Sequence, residues 1–233
     1  MASKYLFKVL TLLLVLVGLP SLHAQPQATS VKAIVFDFSG VIAKKDKGQI
    51  VQFVATSLSI SPDHAQEALQ NLKHCLKKGS NEEDFWQVYA QSIGRKLPAN
   101  WLQQLDQARL KAIVEIPGMV NLVKNLQKNG FQTALLSNGG TSRARLKDQI
   151  DLYNLFHPVL LSSDIGIAKP NPKVFQILLD TLQLSANQVL LIDNKAENIQ
   201  AAKKLGIDGI EFKNPDQLIQ ELDKRGIRVS TAP

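Results

Sequence analysis

Five side chains able to do chemistry stand just past strand-like runs of this 233-residue chain. Asp37 follows Val31-Lys32-Ala33-Ile34-Val35-Phe36, Ser137 and Asn138 follow residues 131–136, Lys169 lies in a loop after Val159-Leu160-Leu161, and Asp193 follows Val189-Leu190-Leu191-Ile192. Singly each is ordinary, since an aspartate after a strand is commonly a turn former, Ser-Asn is common in loops and an isolated lysine is usually solvated. Together they carry more information. If the four runs are parallel neighbours, all five gather beyond the carboxyl ends of the strands, where the loops of an open parallel sheet converge on a ligand.

The elements that must position them alternate. Helical stretches are expected over 141–153, 172–182 and 196–205, with Gly206 as a stop, then a weaker strand at 209–212 and a helix at 215–224. Strands alternating with helices over short links imply a parallel, doubly wound α/β sheet, because parallel neighbours require crossovers. Between the first and second strands lies a segment with only helix signals, 44–114. Ser61-Pro62 caps and begins a helix running to Gly79. Ser80 and Glu83 have the capping-box spacing for a second helix that closes at Gly94. A third, over 98–114, places Trp101, Leu102, Leu105 and Leu110 on one broad face. This segment is expected to form an all-helical lid, with Trp86 and Trp101 as its core, over a body made of 31–43 and 115–233.

Four segments now resemble a known family. Phe36-Asp37-Phe38-Ser39-Gly40-Val41, Leu136-Ser137-Asn138, Lys169-Pro170-Asn171-Pro172 and Ile192-Asp193-Asn194 look like the four ordered motifs of the haloacid dehalogenase superfamily. The resemblance spans 31–214, and the helical insert is similar to the cap domain of members acting on small molecules. The run from Asp193 to Asn198, with Ala201-Ala202 and Leu205-Gly206 after it, is similar to the subgroup that includes small sugar phosphatases.

The resemblance implies a hydrolase that acts on a small phosphorylated substrate. Asp37 is then the nucleophile, attacking phosphorus to form an aspartyl-phosphate. Both reactants are anions, so a divalent cation must neutralise and align them; Mg2+ would be held by Asp37, Asp193 and the carbonyl of Ser39. Ser137 and Asn138 would hold phosphoryl oxygens, Lys169 would stabilise the charge there, and Asn194 and Asn198 would stand behind the metal ligands. Two positions depart from the pattern. Most phosphatases of the family carry a second aspartate two residues after the nucleophile, which protonates the leaving oxygen and later activates water; here that residue is Ser39. Losing such help costs about 10²–10⁴-fold, which implies slow turnover favouring acyl or aryl phosphates. Asn194 replaces a further acid and implies a looser Mg2+ site. Two alternatives stay open: a catalytically silent binding protein of this fold, and a metal-independent haloacid dehalogenase, against which Asp193 argues by repelling a carboxylate and a departing halide.

Composition bounds the rest. Lys4 and Lys8, an apolar stretch from Val9 to Leu19 and Ser21-Leu22-His23-Ala24 have the order of a secretory signal over 1–24. Export to a periplasm or the exterior follows, with an uncleaved membrane anchor as the alternative. The apolar stretch is shorter than the about 20 residues a span needs, so no stable membrane span is expected after cleavage. Removing 1–24 leaves 25 basic against 20 acidic residues, a surplus of +5. The basic residues are scattered among acids, which argues against a nucleic-acid groove; Lys44, Lys45 and Lys47 form a local cluster near the site. With Cys75 alone no intramolecular disulfide forms, and His23, His64, His74 and His157 lack ligand spacing. No glycine-rich dinucleotide or Walker-type loop is present, and oligomeric state is left open.

Overall fold

The computed structural model describes residues 30–229, so the expected export signal over 1–24 lies outside the described residues. In chain order the elements are β1 (Ala33–Phe36), β2 (Ala43–Lys45), α1 (Lys47–Leu58), α2 (Pro62–Lys77), α3 (Glu82–Ser92), α4 (Trp101–Lys111), β3 (Ile113–Glu115), α5 (Met119–Lys128), β4 (Gln132–Ser137), α6 (Thr141–Leu146), β5 (Val159–Leu161), α7 (Ser162–Ile165), α8 (Pro172–Leu182), β6 (Val189–Asp193), α9 (Ala196–Lys203), β7 (Asp208–Glu211) and α10 (Pro215–Asp223).

β1 is the axis of a five-stranded sheet ordered β5-β4-β1-β6-β7, parallel at every pairing. A strand buried on both faces needs apolar residues in both phases of its two-residue period, and β1 has them. Ile34 and Phe36 face a core built with α5 and α10, through Met119, Leu122, Leu218 and Leu222. Ala33 and Val35 face a second core built with α8 and α9, through Phe175, Leu178, Ile199 and Ala202. The sheet is thus covered on both sides, as a doubly wound α/β fold requires.

Helices α1 to α4 enclose a third core, in which Trp86 and Trp101 meet edge to face at 5.2 Å, as expected. Ser61 caps α2, also as expected. Three local expectations are corrected. The insert is not helical throughout: β2 and β3 pair antiparallel, Ala43 opposite Glu115 and Lys45 opposite Ile113, so the third helix stops at Lys111 and the two connections to the body form a ribbon. Three-residue strands leave too little period for a pattern to show. The expected Ser80–Glu83 capping box gives way to Asn81, whose Oδ1 accepts from the amides of Glu83 and Asp84 at 2.7 and 3.3 Å; this register buries Glu82 one turn before Trp86. The helix expected over 141–153 ends at Leu146 and continues as two 3-10 turns, 147–149 and 151–155. Ile150 between them is extended, and Leu146, Ile150 and Tyr153 all lie in the core. Helix α1 falls within the segment expected to be helical, though no separate helix is expected there, and α5 corresponds to no expected element. Among the described residues no helix is long and apolar enough to cross a membrane.

Candidate functional site

The parallel register brings the strand ends level. Phe36 stands beside Leu135 of β4 and Ile192 of β6, and the Asp37 amide donates to the Ile192 carbonyl at 2.8 Å. Asp37, Ser137 and Asp193 therefore leave three adjacent strands at the same edge. Lys169 arrives from the loop between α7 and α8, and Asn138 holds it there: the Asn138 Nδ2 donates to the Lys169 carbonyl at 2.8 Å, and the Lys169 amide donates to Asn138 Oδ1 at 2.9 Å. The geometry gives Asn138 a task the sequence did not suggest, positioning the lysine loop, and engages both its polar atoms in that task.

Lys169 Nζ then donates to Asp37 Oδ1 at 3.0 Å, Asp193 Oδ2 at 2.7 Å and the Leu136 carbonyl at 2.5 Å. An ammonium has three protons, and all are used. Burial is nearly complete: Asp193 is 0% exposed, Lys169 4% and Asp37 8%. Asp37 is thus the carboxylate with access to the cleft. Asp193 is fixed from behind, by the Lys195 amide on Oδ1 and Asn198 Nδ2 on Oδ2, both at 2.9 Å.

Two observations bear on whether a cation fits. Two carboxylates against one ammonium leave the buried triad one negative charge in excess, and the Asn198 Oδ1, buried beside Asp193, has no hydrogen-bond partner. An unpartnered buried acceptor next to a carboxylate suits a water on a metal ion. Among the described residues no third His, Cys, Asp or Glu joins the pair, and two carboxylates with a backbone carbonyl and waters is the donor set Mg2+ accepts. Gly40 shapes the floor: its φ is +85°, and a Cβ there would stand 2.4 Å from Asn194 Nδ2.

Ser39 faces an unexpected neighbour. Arg143, on the first turn of α6, donates through Nη2 to Ser39 Oγ at 2.9 Å and through Nη1 to Ser137 Oγ at 3.2 Å, and its guanidinium lies 5.0 Å from the centre of the Phe38 ring. Sequence reasoning missed it because a lone arginine on an expected helix has no signal of its own. Two residues on, Arg145 reaches the insert. It donates to Asp106 at 2.6 and 2.8 Å and to Glu82 at 3.1 Å, while Arg109 pairs with the same two acids from within the insert. Of the three expected cluster lysines, Lys45 is drawn into this field: its pKa is pushed down to about 8, first by burial and then by Arg109 and Arg143. Part of Lys45 stays open to solvent, so crowding by neighbouring protein, not full enclosure, removes its water.

A family model described as "Hydrolase: haloacid dehalogenase-like hydrolase" matches residues 31–206. The chain belongs to the haloacid dehalogenase-like hydrolases. Among relatives of this hydrolase, it is 25% identical over 234 residues to "Bifunctional epoxide hydrolase 2" of Sus scrofa, covering 88% of this chain and 40% of that protein. The chain therefore spans about two fifths of the length of that relative. It is 26% identical over 206 residues to "D-ribitol-5-phosphate phosphatase" of Bacteroides thetaiotaomicron, covering 82% of this chain and 97% of the relative. Among solved structures, a HAD family enzyme of Bacteroides thetaiotaomicron in complex with magnesium and inorganic phosphate shares the fold, with a TM-score of 0.60 at 20% identity over 79% of this chain and 96% of the other.

Proposed function

We propose that this chain is a Mg2+-dependent phosphatase of small phosphorylated metabolites, working through an aspartyl-phosphate on Asp37 and exported after loss of residues 1–24. The observation that carries the reading is the Lys169 ammonium held between Asp37 at 3.0 Å and Asp193 at 2.7 Å. A buried lysine on two carboxylates fixes the nucleophile's rotamer and neutralises part of its charge, while the remaining excess negative charge calls for a cation. The phosphatase relative from Bacteroides thetaiotaomicron, matched over nearly its whole length, supports the substrate class.

The residues then divide the work. Asp37, Asp193 and the Ser39 carbonyl would hold Mg2+, which would supply the positive charge that lets a phosphate dianion approach a carboxylate. Asp37 attacks phosphorus, Ser137 and Lys169 stabilise charge on the phosphoryl oxygens, and Asn138 keeps the lysine in place. Asn198, whose buried Oδ1 has no hydrogen-bond partner, would accept from a water on such a cation. Ser39 is too weak an acid to protonate a leaving oxygen at neutral pH, so alkyl phosphates turn over slowly, and Asn194 in place of an acid loosens the metal.

The test is release of inorganic phosphate from p-nitrophenyl phosphate and from a panel of phosphorylated metabolites, with Mg2+ and with EDTA. Release that needs Mg2+ and disappears in Asp37→Asn supports the reading. Calorimetric binding of phosphate with no turnover of any ester would instead mark a binding protein.

A further inference from the structure

The resemblance gives Arg143 no task, yet its guanidinium lies against the hydroxyl of Ser39. Ser39 stands where related phosphatases carry their acid, Ser137 is the proposed phosphoryl contact, and Arg143 donates to both hydroxyls at 2.9 and 3.2 Å. The guanidinium lies over the Phe38 ring, and Phe38 is itself held edge-on by Tyr153 at 4.8 Å. This is a preorganised cation. Its hydrogen-bond partners here are neutral, and among the described residues no carboxylate forms an ion pair with it. A half-buried guanidinium whose direct partners are neutral can receive an anion beside it as a charge-assisted hydrogen bond. Lys45 adds to the same positive field, since Arg143 is among the groups that lower its pKa.

We propose that Arg143 is the leaving-group residue of this enzyme, receiving the departing oxygen as an anion in place of the proton Ser39 does not supply. The proposal rests on the phosphatase reading and names its substrate class: esters and mixed anhydrides whose leaving oxygen is stable without a proton, phenolates and carboxylates ahead of alkoxides. In the first step the Asp37 Oδ–P bond forms and the P–O bond to the leaving group breaks. The bonding pair stays on the leaving oxygen, which departs as an anion paired with Arg143, and no proton moves. In the second step water attacks phosphorus, the Oδ–P bond breaks with its electron pair returning to the carboxylate, and both protons of water leave on dihydrogen phosphate.

The test is a Brønsted series. kcat/KM is measured for the full chain with Mg2+ on aryl phosphates whose phenols span several pKa units, for wild type, Arg143→Ala and Arg143→Lys, with circular dichroism confirming the fold of each. Removing a donor from a developing oxyanion costs about 10²–10³-fold. The expected result is a loss of that order on the most basic phenols, a much smaller loss on the most acidic, and therefore a steeper slope in Arg143→Ala. Arg143→Lys, which keeps the charge and is the deciding variant if the alanine form does not fold, should lie between. A uniform loss with the slope unchanged, or no loss, overturns the assignment while leaving the phosphatase reading intact. Wild-type protein that hydrolyses none of the series, and does not differ from Asp37→Asn, overturns both.

Discussion

Replacing Lys169 by methionine removes an ammonium whose three protons are all placed, two of them on carboxylates, while keeping most of its volume. The Asp193 left behind is 0% exposed and the Asp37 8%, so water cannot take over the lysine's work. Removing one partner from a buried ion network costs about 3–5 kcal/mol. For a domain of this size each kcal/mol moves Tm by about 2–4 °C, a fall of roughly 6–20 °C. The same substitution leaves two negative charges uncompensated where wild type leaves one, so a divalent cation is bound more tightly by the variant's native state. Such binding adds about 2.7 kcal/mol when the cation is at 100 times its Kd. Differential scanning calorimetry in EDTA and then in a fixed excess of Mg2+ reads both effects. Lys169→Met should melt well below wild type in EDTA and recover more on adding Mg2+ than wild type gains, while hydrolysis remains lost. A variant that melts within about 2 °C of wild type in EDTA, or equal Mg2+ gains for the two proteins, refutes the picture of a lysine and a cation sharing one pair of carboxylates.

Three further outcomes follow from the structure. Arg145→Met should lower stability in urea by about 1–2 kcal/mol, because its side chain is 38% exposed and solvent screens its pairs. Arg109→Met, at 8% exposure on the same acids, should cost about 3–5 kcal/mol; the reverse order would mean that the contact between insert and body dominates. Lys45 has a folded-state pKa lowered from 10.5 to about 8, so between those values the unfolded chain binds more protons and stability should rise with pH; the rise should be small, given the lysine's exposure, and absent in Lys45→Met. Finally, a wild type without a base for the second step should show a burst of phenolate in stopped-flow mixing with p-nitrophenyl phosphate. Ser39→Asp should remove the burst and raise turnover of sugar phosphates by up to about 10²–10⁴-fold, and no gain would refute the assignment of the missing acid.

How much of this was legible depended on the length of the signal. The apolar run read as β6 matches to within one residue, and α8 matches because Pro172 and Asn171 mark its start; β5, short as it is, is three consecutive apolar residues, whereas β2 and β3 carry lysine or glutamate and show no such run. Where fewer residues carried the pattern it misled. The spacing of Leu146, Ile150 and Tyr153 fits one helix face, yet Leu146 reaches the core from the end of α6, Ile150 from an extended link and Tyr153 from a 3-10 turn, where its ring meets Phe38; the weak preference of a short segment for one continuous helix is readily overridden by tertiary context.

The sequence by itself determined which residues end the strands: Asp37, Ser137, Asn138 and Asp193 follow runs whose burial forces them into a parallel sheet, and such a sheet delivers its loops to one edge. Tertiary structure alone decided what those residues touch. That Lys169 takes up both carboxylates, that Asn138 serves the lysine, that Arg143 spans Ser39 and Ser137, and that Arg145 crosses to Glu82 and Asp106 are contacts between residues far apart in the chain. Local pattern records which face of an element is buried, because burial repeats with the element's period. A single polar contact repeats with nothing, and its partner is set by how whole elements pack, which is why the leaving-group side of this site became visible only in the fold.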